Sequence, residues 1–505
     1  MKETEEKAGE LKKRLVKGTF WSFLATLINK FGALFFSIIL ARYLMPENYG
    51  VYVTVFATSM IFNTFTDLGL NRTMMRYLSS AMVKSKKKIS SYYKYILKLK
   101  AIISFSTSIL LALLAYPLSV YVFRNPSMII PFLLASFLIL VLSFEGLYTK
   151  IFYAIEKVYY VSIKESIVQI SRIVLAFFVF YLVASRYHII GIFVMLILVN
   201  LIMLIFLFFR LKSVFPELHS KTRIEIDKQR VRKFAKFLTI ISISEVFFAY
   251  IDTVILGIFL LPEYVAYYKA AFTLVLGAVG LVGFPNAILL PILTKLNKND
   301  TKKVLNKLFR YLAILAIPAS FGILVLGRHF LRLLYGYSYL SGYLPLSFLG
   351  FLVFPFVAVG MIVPLFSAKE KPQLFAKLIL IVGLMNIILN IIFIKSFSLI
   401  SPIAGTIGAA LATIISWLFY FFMSLSVAKK DFKIDISLKN LVKPFIASVI
   451  MAFVLYKSLL YVGDMTLLIG IFLVTLGIFI YFLSLLLIRG IKKEDIRIFS
   501  FIFKR

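Results

Sequence analysis

Charged and amide side chains set inside apolar stretches are the residues of this sequence that could do chemistry. A charge in hydrocarbon costs about 2.5–3.5 kcal/mol on insertion scales, so each one needs a reason. Lys30 stands in an apolar run with Thr26 one turn before it and Ser37 two turns after. Asp67 shares a helix face with Ser59 and Asn63, at four-residue spacing. Glu165, Gln169 and Arg172 fall on one face beside Lys164, and Glu245 and Asp252 lie seven apart with Ser242 just before them. Lys269 enters a later run, and Asn386 and Asn390 sit one turn apart in another. Stripes on several apolar helices imply a shared aqueous cavity between two bundles, because isolated polar faces would contact lipid. Plainer readings stand beside these. Glu165 and Arg172 make a fixed salt bridge, Arg76 and Lys269 snorkel to head groups, and Asp67 caps a helix or pairs with Arg72.

The elements that must carry these residues are membrane helices. The chain has 505 residues, 61% of them hydrophobic, and a mean hydropathy of +0.96. Apolar runs of about 20 residues recur from end to end, which defines an all-α polytopic membrane protein. Spans are expected at 18–41, 49–70, 99–123, 129–150, 161–184, 189–209, 236–260, 265–293, 309–334, 343–367, 373–396, 403–427, 440–462 and 465–488, about fourteen in all. The N-terminal segment is charged and helical, and no cleavable signal is expected. There is no Cys, so disulfide and thiolate chemistry are excluded. His188, His219 and His329 are far apart near loops, which argues against a metal site.

The formal net charge is +35. In a membrane protein this reflects basic cytoplasmic loops beside anionic lipid rather than nucleic-acid binding. Lysines and arginines crowd the N-terminal segment, the loops after even-numbered spans and the tail. Loops after odd-numbered spans, such as Met45–Asn48, are short and poor in charge. The alternation predicts both termini in the cytoplasm.

The chain also repeats. Leu44-Met-Pro-Glu-Asn-Tyr-Gly-Val-Tyr52 returns as Leu260-Leu-Pro-Glu-Tyr-Val-Ala-Tyr-Tyr268, at an offset of 216 residues. Tyr153-Ala-Ile-Glu-Lys157 returns as Ser367-Ala-Lys-Glu-Lys371, at 214. The repeated unit holds six helices, so both copies insert in one orientation, related by a pseudo-two-fold along the membrane normal. The organisation expected is a cytoplasmic segment (1–17), a six-helix bundle (18–210), a basic linker (211–235), a second six-helix bundle (236–428), two additional C-terminal helices (429–489) and a cytoplasmic tail (490–505). Gly277, Gly280, Gly283, Pro285 and Pro291 in the eighth span, with Pro355 and Pro364 in the tenth, allow close contact and bending. Gly277-x-x-Gly280 is not a nucleotide loop, since no GK[ST] follows.

The run Ala41-Arg-Tyr-Leu-Met-Pro-Glu-Asn-Tyr-Gly50, then Asp67-Leu-Gly-Leu70 and Met75-Arg-Tyr-Leu78, resembles the first hairpin of the polysaccharide-export (Wzx-like) flippases of the multidrug/oligosaccharidyl-lipid/polysaccharide exporter superfamily. The resemblance implies alternating access that moves a polyprenyl-(pyro)phosphate-linked oligosaccharide from the cytoplasmic to the outer leaflet of the cell membrane. The chemistry of such a cargo fits the polar stripes: Lys30 and Arg172 for the anionic head group, Asn63, Asn386 and Asn390 for sugar, with Lys269 a further substrate-binding candidate. Glu245, Asp252, Asp67 and Glu165 would bind H+ or Na+ and be neutralised for part of the cycle. No other cofactor and no metal is expected, and the partners are membrane lipids and the lipid-linked anionic cargo, handled by a monomer. The alternatives are a multidrug exporter driven by H+ or Na+, a lipid II-type flippase and, least favoured, a membrane glycosyltransferase or polymerase. Short outer loops and the lack of a nucleophile–base constellation speak against an enzyme. Replacing Lys30 and Arg172 together by Ala should abolish surface glycan output; normal output with normal outer-leaflet delivery would remove both from the site.

Overall fold

The computed structural model describes residues 2–220, 224–283, 286–462 and 466–490. The side chains of 2–27, 29, 30, 286–288, Pro291 and Pro372 are outside the described set, as are Pro285 and the tail lysines. The described residues are helical, without a strand. In chain order the helices are α1 (Lys2–Asp67), α2 (Leu70–Lys84), α3 (Ile89–Pro117), α4 (Ile129–Ala154), α5 (Val158–Leu182), α6 (His188–Val214), α7 (Lys228–Phe259) and α8 (Pro262–Val282). They continue as α9 (Asn286–Lys295), α10 (Lys298–Tyr335), α11 (Tyr343–Leu349), α12 (Val353–Ala368), α13 (Pro372–Ser398), α14 (Pro402–Phe432), α15 (Val442–Leu460) and α16 (Leu467–Leu487). Among the described residues, 13 helical elements are long and apolar enough to cross a membrane.

The first of these elements contains two of the expected spans. Met45 interrupts α1 with φ 60 and ψ 167 just before Pro46. The Ser37 Oγ and Tyr49 hydroxyl are 2.7 Å apart, although 12 residues of straight helix would separate them by about 18 Å. The chain therefore doubles back at Met45, and the expected hairpin turn is real.

Contacts divide the chain into two compact units: residues 1–266 with 379–405, and residues 267–378 with 406–505. This grouping by packing differs from the six-plus-six division by duplication, because α7 joins the first unit. In that unit Leu78, Ile96, Ile151 and Leu207 meet in one buried cluster contributed by α2, α3, α4 and α6. The second has its own cluster of Leu326, Met451, Leu473 and Tyr481 from α10, α15 and α16. Large apolar side chains also point outward, among them Leu113, Tyr181 and Phe472. Helices apolar on every face are what lipid on one side and protein on the other require.

The two turns matched in sequence share a backbone conformation. Glu156 and Glu370 both adopt left-handed φ, 59° and 56°. At the first turn Lys157 N donates to Phe152 O and Glu156 N to Tyr153 O; at the second Lys371 N donates to Phe366 O and Glu370 N to Ser367 O. The same helix-ending hydrogen bonds thus recur at the offset of the sequence match.

Close backbone approach inside the first unit depends on Gly50. A Cβ there would lie 1.8 Å from the Pro262 carbonyl oxygen, so the second arm of α1 touches the α7–α8 turn only because no side chain intervenes. Gly50→Ala should lower the apparent melting temperature of the purified protein in detergent. Gly322→Ala on α10, where an added Cβ meets nothing within 4 Å, should be neutral or stabilising by up to about 1 kcal/mol. Equal melting of the Gly50→Ala and parent proteins would refute the contact.

Candidate functional site

A network of opposite charges occupies the lysine-rich end of the first unit. It starts where α1 stops. Leu68 and Gly69 take left-handed φ of 41° and 72°, and α2 begins at Leu70. A Cβ on Gly69 would lie 2.6 Å from Ala235 O of α7, so conformation and space both demand glycine. Asp67 Oδ1 then accepts from Asn71 N at 2.9 Å and so caps α2. The same oxygen accepts from Lys100 Nζ of α3 at 3.3 Å, and the Lys100 side chain has 0% exposure.

The neighbouring helices supply further pairs. Glu145 of α4 accepts from Lys164 of α5 at 2.7 Å, and Lys164 also meets Glu165 at 2.5 Å. Glu145 Oε2 is buried with no hydrogen-bond partner among the described residues. Arg72 of α2 donates to Glu245 of α7 at 2.7 Å, with side chains 40% and 35% exposed. Lys150 of α4 shares the field of Arg72, Asp67, Glu245 and Lys164. Its ammonium lies 5.1 Å from the Tyr153 ring centroid, and no described carboxylate comes within 4 Å of it. Arg72, Lys100, Lys150 and Lys164 therefore balance Asp67, Glu145, Glu165 and Glu245. Opposite charges gathered in low dielectric offset one another's desolvation.

The pairs differ in what they can do. Lys100–Asp67 and Lys164–Glu145 are buried and hold helices together. Arg72 is accessible, holds one exchangeable carboxylate and stands near a lysine with no carboxylate of its own. An oxyanion could replace Glu245 on its planar guanidinium and take Lys150 as a second donor.

The other residues singled out from sequence fall elsewhere. Arg172 Nη2 donates to Asn200 Oδ1 of α6 at 3.4 Å, and its Nε is buried without a hydrogen-bond partner among the described residues; the bridge to Glu165 is not formed. Lys30 lies in the first arm of α1, but its side chain is outside the described residues. Two residues on, Gly32 abuts Gln169 of α5. Asn63 is half-buried and accepts from the Thr66 hydroxyl through its carbonyl, at 2.7 Å. Asp252 is buried in α7 and accepts from its neighbour's backbone, Thr253 N, at 2.6 Å. Asn390 Nδ2 donates to Asn386 O at 2.9 Å, and both amides are buried in the part of α13 that belongs to the first unit. Lys269 lies in the second unit, its ammonium 5.5 Å from the Phe272 ring centroid. The histidines are apart: His188 meets the Val183 carbonyl, His329 lies on α10, and His219 packs on Tyr93. Burial, then Lys212 and Lys94, lowers the His219 pKa below its usual value.

Sequence reasoning passed over Lys100, Glu145 and Lys150 and named Arg72 only as a partner for Asp67. The signal for Glu145 was present: it is the lone acid in the apolar run VLSFEGLY.

The second unit contains a different feature, a cavity of about 410 Å³. Ile314, Pro318, Leu326, Met451, Leu455 and Phe482 line it, from α10, α15 and α16. Tyr481 contributes a hydroxyl, but that group donates to Ile314 O at 2.8 Å. The volume lies in the range of about 300–1,000 Å³ for ligand pockets, and the wall is suited to hydrocarbon.

Comparison with known proteins places these features. The family described as polysaccharide biosynthesis protein matches residues 15–297, the stretch that contains the whole charge network. A curated relative, the probable low-salt glycan biosynthesis flippase Agl15 of Haloferax volcanii, is 27% identical over 271 residues. That match spans about half of each protein, 52% of this chain and 54% of the relative. Among solved structures, the lipid II flippase MurJ in an inward closed conformation superposes with a TM-score of 0.72 at 18% identity, covering 93% of this chain and 98% of the other. An inward-facing multidrug resistance MATE transporter of the MOP superfamily gives 0.65 at 12% identity, covering 81% and 95%. At these identities the superpositions establish the fold.

Removing the Lys164 ammonium should leave Glu145 buried beside Glu165 with no cation. Lys164→Met is expected to destabilise by about 3–5 kcal/mol, read as a fall in detergent melting temperature and folded yield. Adding Glu145→Gln to that variant should recover much of the loss; no recovery would mean the pair does not couple.

Proposed function

Because the chain belongs to the polysaccharide biosynthesis protein family, we propose that it translocates a polyprenyl-(pyro)phosphate-linked oligosaccharide across the cell membrane by alternating access. The cargo passes from the cytoplasmic to the outer leaflet, and both termini are cytoplasmic in this reading. The observation that carries it is the Arg72–Glu245 pair with Lys150 beside it. These are the cations of the network with capacity for a mobile anion. The head-group phosphates displace Glu245 from Arg72 and draw in Lys150. Glu245, now without its cation, is the first candidate to take up H+ or Na+. Asp252, whose carboxylate is buried on the same helix, is the second candidate for H+ or Na+. Arg172, Asn63, Asn386 and Asn390 offer polar contacts for the glycan.

A multidrug exporter of cationic amphiphiles would need acidic groups with free capacity. In the charge network Asp67, Glu145, Glu165 and Glu245 each meet a cation, and the donor without a carboxylate is Lys150. Arg72→Ala/Lys150→Ala should reduce delivery of lipid-linked glycan to the outer leaflet at least tenfold while the protein stays folded. Arg72→Lys should fall between, since a point charge cannot make the bidentate contact. Undiminished delivery by the double variant would defeat this assignment. Drug hypersensitivity of a deletion strain with normal glycan export would favour the exporter.

A further inference from the structure

Arg172 stands about midway along α5, and an ionisable side chain at that depth asks for a named partner. Among the described residues no carboxylate lies within 4 Å of it. Glu165, on the same helix face, is taken by Lys164. The first arm of α1 runs beside α5, where Gly32 abuts Gln169. The nearest acid before Gly32 on that arm is Glu10, 22 residues earlier, or about 33 Å of helix.

What the guanidinium does hold is neutral. Arg172 Nη2 donates to Asn200 Oδ1 of α6 at 3.4 Å, long for a hydrogen bond of this kind. Its Nε is buried with no hydrogen-bond partner among the described residues. Asn200 is buried, and its Nδ2 donates to Leu196 O at 2.6 Å, which fixes the amide with its oxygen toward Arg172. Tyr52 of α1, 7% exposed, lies in the field of the same guanidinium and carries a hydroxyl that can donate. Three helices thus set one forked cation among an amide and a phenol. The Arg172 side chain is half-buried, so a ligand can reach it. A buried N–H without an acceptor is costly, and an incoming acceptor would satisfy it.

The chemistry selects that acceptor. A guanidinium presents paired N–H groups that fit the two oxygens of a carboxylate. One cation with neutral neighbours balances one negative charge, whereas the more highly charged (pyro)phosphate has Arg72 and Lys150 in the proposed function. Arg172 follows Glu165 by seven residues, about 10 Å along α5 and away from the lysine-rich end. It therefore meets a different part of the cargo from the head group. A neutral sugar would offer hydroxyls alone and leave the charge unbalanced.

We propose that Arg172, with Asn200 and Tyr52, forms a carboxylate-binding subsite that selects cargo whose glycan carries an acidic sugar. Arg172 grips the carboxylate, Asn200 orients the guanidinium and Tyr52 donates from α1. The cargo's identity rests on the transport reading, but binding of the sugar needs no translocation. Undiminished delivery by Arg72→Ala/Lys150→Ala would defeat the head-group assignment and leave this subsite standing. The binding test can fail while that delivery falls as expected.

Purified full-length protein in detergent is titrated with D-glucuronate, D-glucose and acetate in chloride-free buffer. Saturable glucuronate binding is expected, with glucose at least tenfold weaker. Arg172→Gln should weaken glucuronate at least tenfold and leave the weak binding of glucose unchanged. Arg172→Lys, which keeps the charge without the fork, should fall between. Acetate that competes with glucuronate shows a site open to free carboxylates as well; glucuronate that acetate does not displace shows that the sugar ring is also read. Both support the proposal. Size-exclusion profiles and melting temperatures identify the variants that stay folded. If Arg172→Gln does not fold, Arg172→Lys decides: a fall in glucuronate affinity upholds the subsite, and parental affinity overturns it. The absence of saturable glucuronate binding, or equal binding of glucose and glucuronate by the parent, would also overturn it. So would equal glucuronate binding by the parent and folded Arg172→Gln, the result expected if Arg172 and Asn200 merely tie α5 to α6.

Discussion

Charge buried away from water must be balanced, and the first unit is arranged around that requirement. Four cations and four carboxylates on α1, α2, α3, α4, α5 and α7 converge at one end of it. Their near-neutral sum lets ionised groups persist where a single one would be expelled or neutralised. Exposure then sorts them. Lys100–Asp67 and Lys164–Glu145 are shielded and act as fixed ties between helices. Arg72–Glu245 is only partly covered by protein, and exposed ion pairs are weak and exchange partners readily. The proposed transport calls on both kinds: ties that keep the helices in register and a pair loose enough to yield.

The duplicated turns at Glu156 and Glu370 keep their backbone hydrogen bonds across an offset of 214 residues, while the side chains around them have diverged. α4 and α5 on either side of the first turn carry Glu145, Lys150, Lys164 and Glu165. Around the second, α12 holds no acid or base, Lys369, Glu370 and Lys371 stand at the turn, and α13 carries Lys377 and Lys395 without an acid. The charge network lies in the first unit, and the second has an apolar cavity.

Much of this was legible in the residues. Hydropathy gave the helices, because a membrane leaves a long apolar run no other way to satisfy its backbone. Pro46 marked the hairpin, and Asp67-Leu-Gly marked a helix end that the structure explains by left-handed φ and the approach of α7. The intramembrane acids Asp67, Glu165 and Glu245 were all recognised as needing a partner. The partners themselves were not legible. Glu165 and Arg172 share a face of α5, yet Glu165 meets Lys164 while Arg172 turns to Asn200. Asp67 takes Lys100 rather than Arg72, and Arg72 takes Glu245 across 173 residues.

By itself, then, the sequence determined which segments are helices, how they are punctuated and which groups cannot lie in lipid alone. Those properties follow from local hydropathy, backbone geometry and the cost of bare charge, and each is written within a few turns of chain. Tertiary structure decided which charge answers which, and so which pair is a tie and which is free to bind. Helical spacing fixes the face a residue occupies, but not the rotation of that helix against its neighbours. A salt bridge of 2.7 Å depends on that rotation.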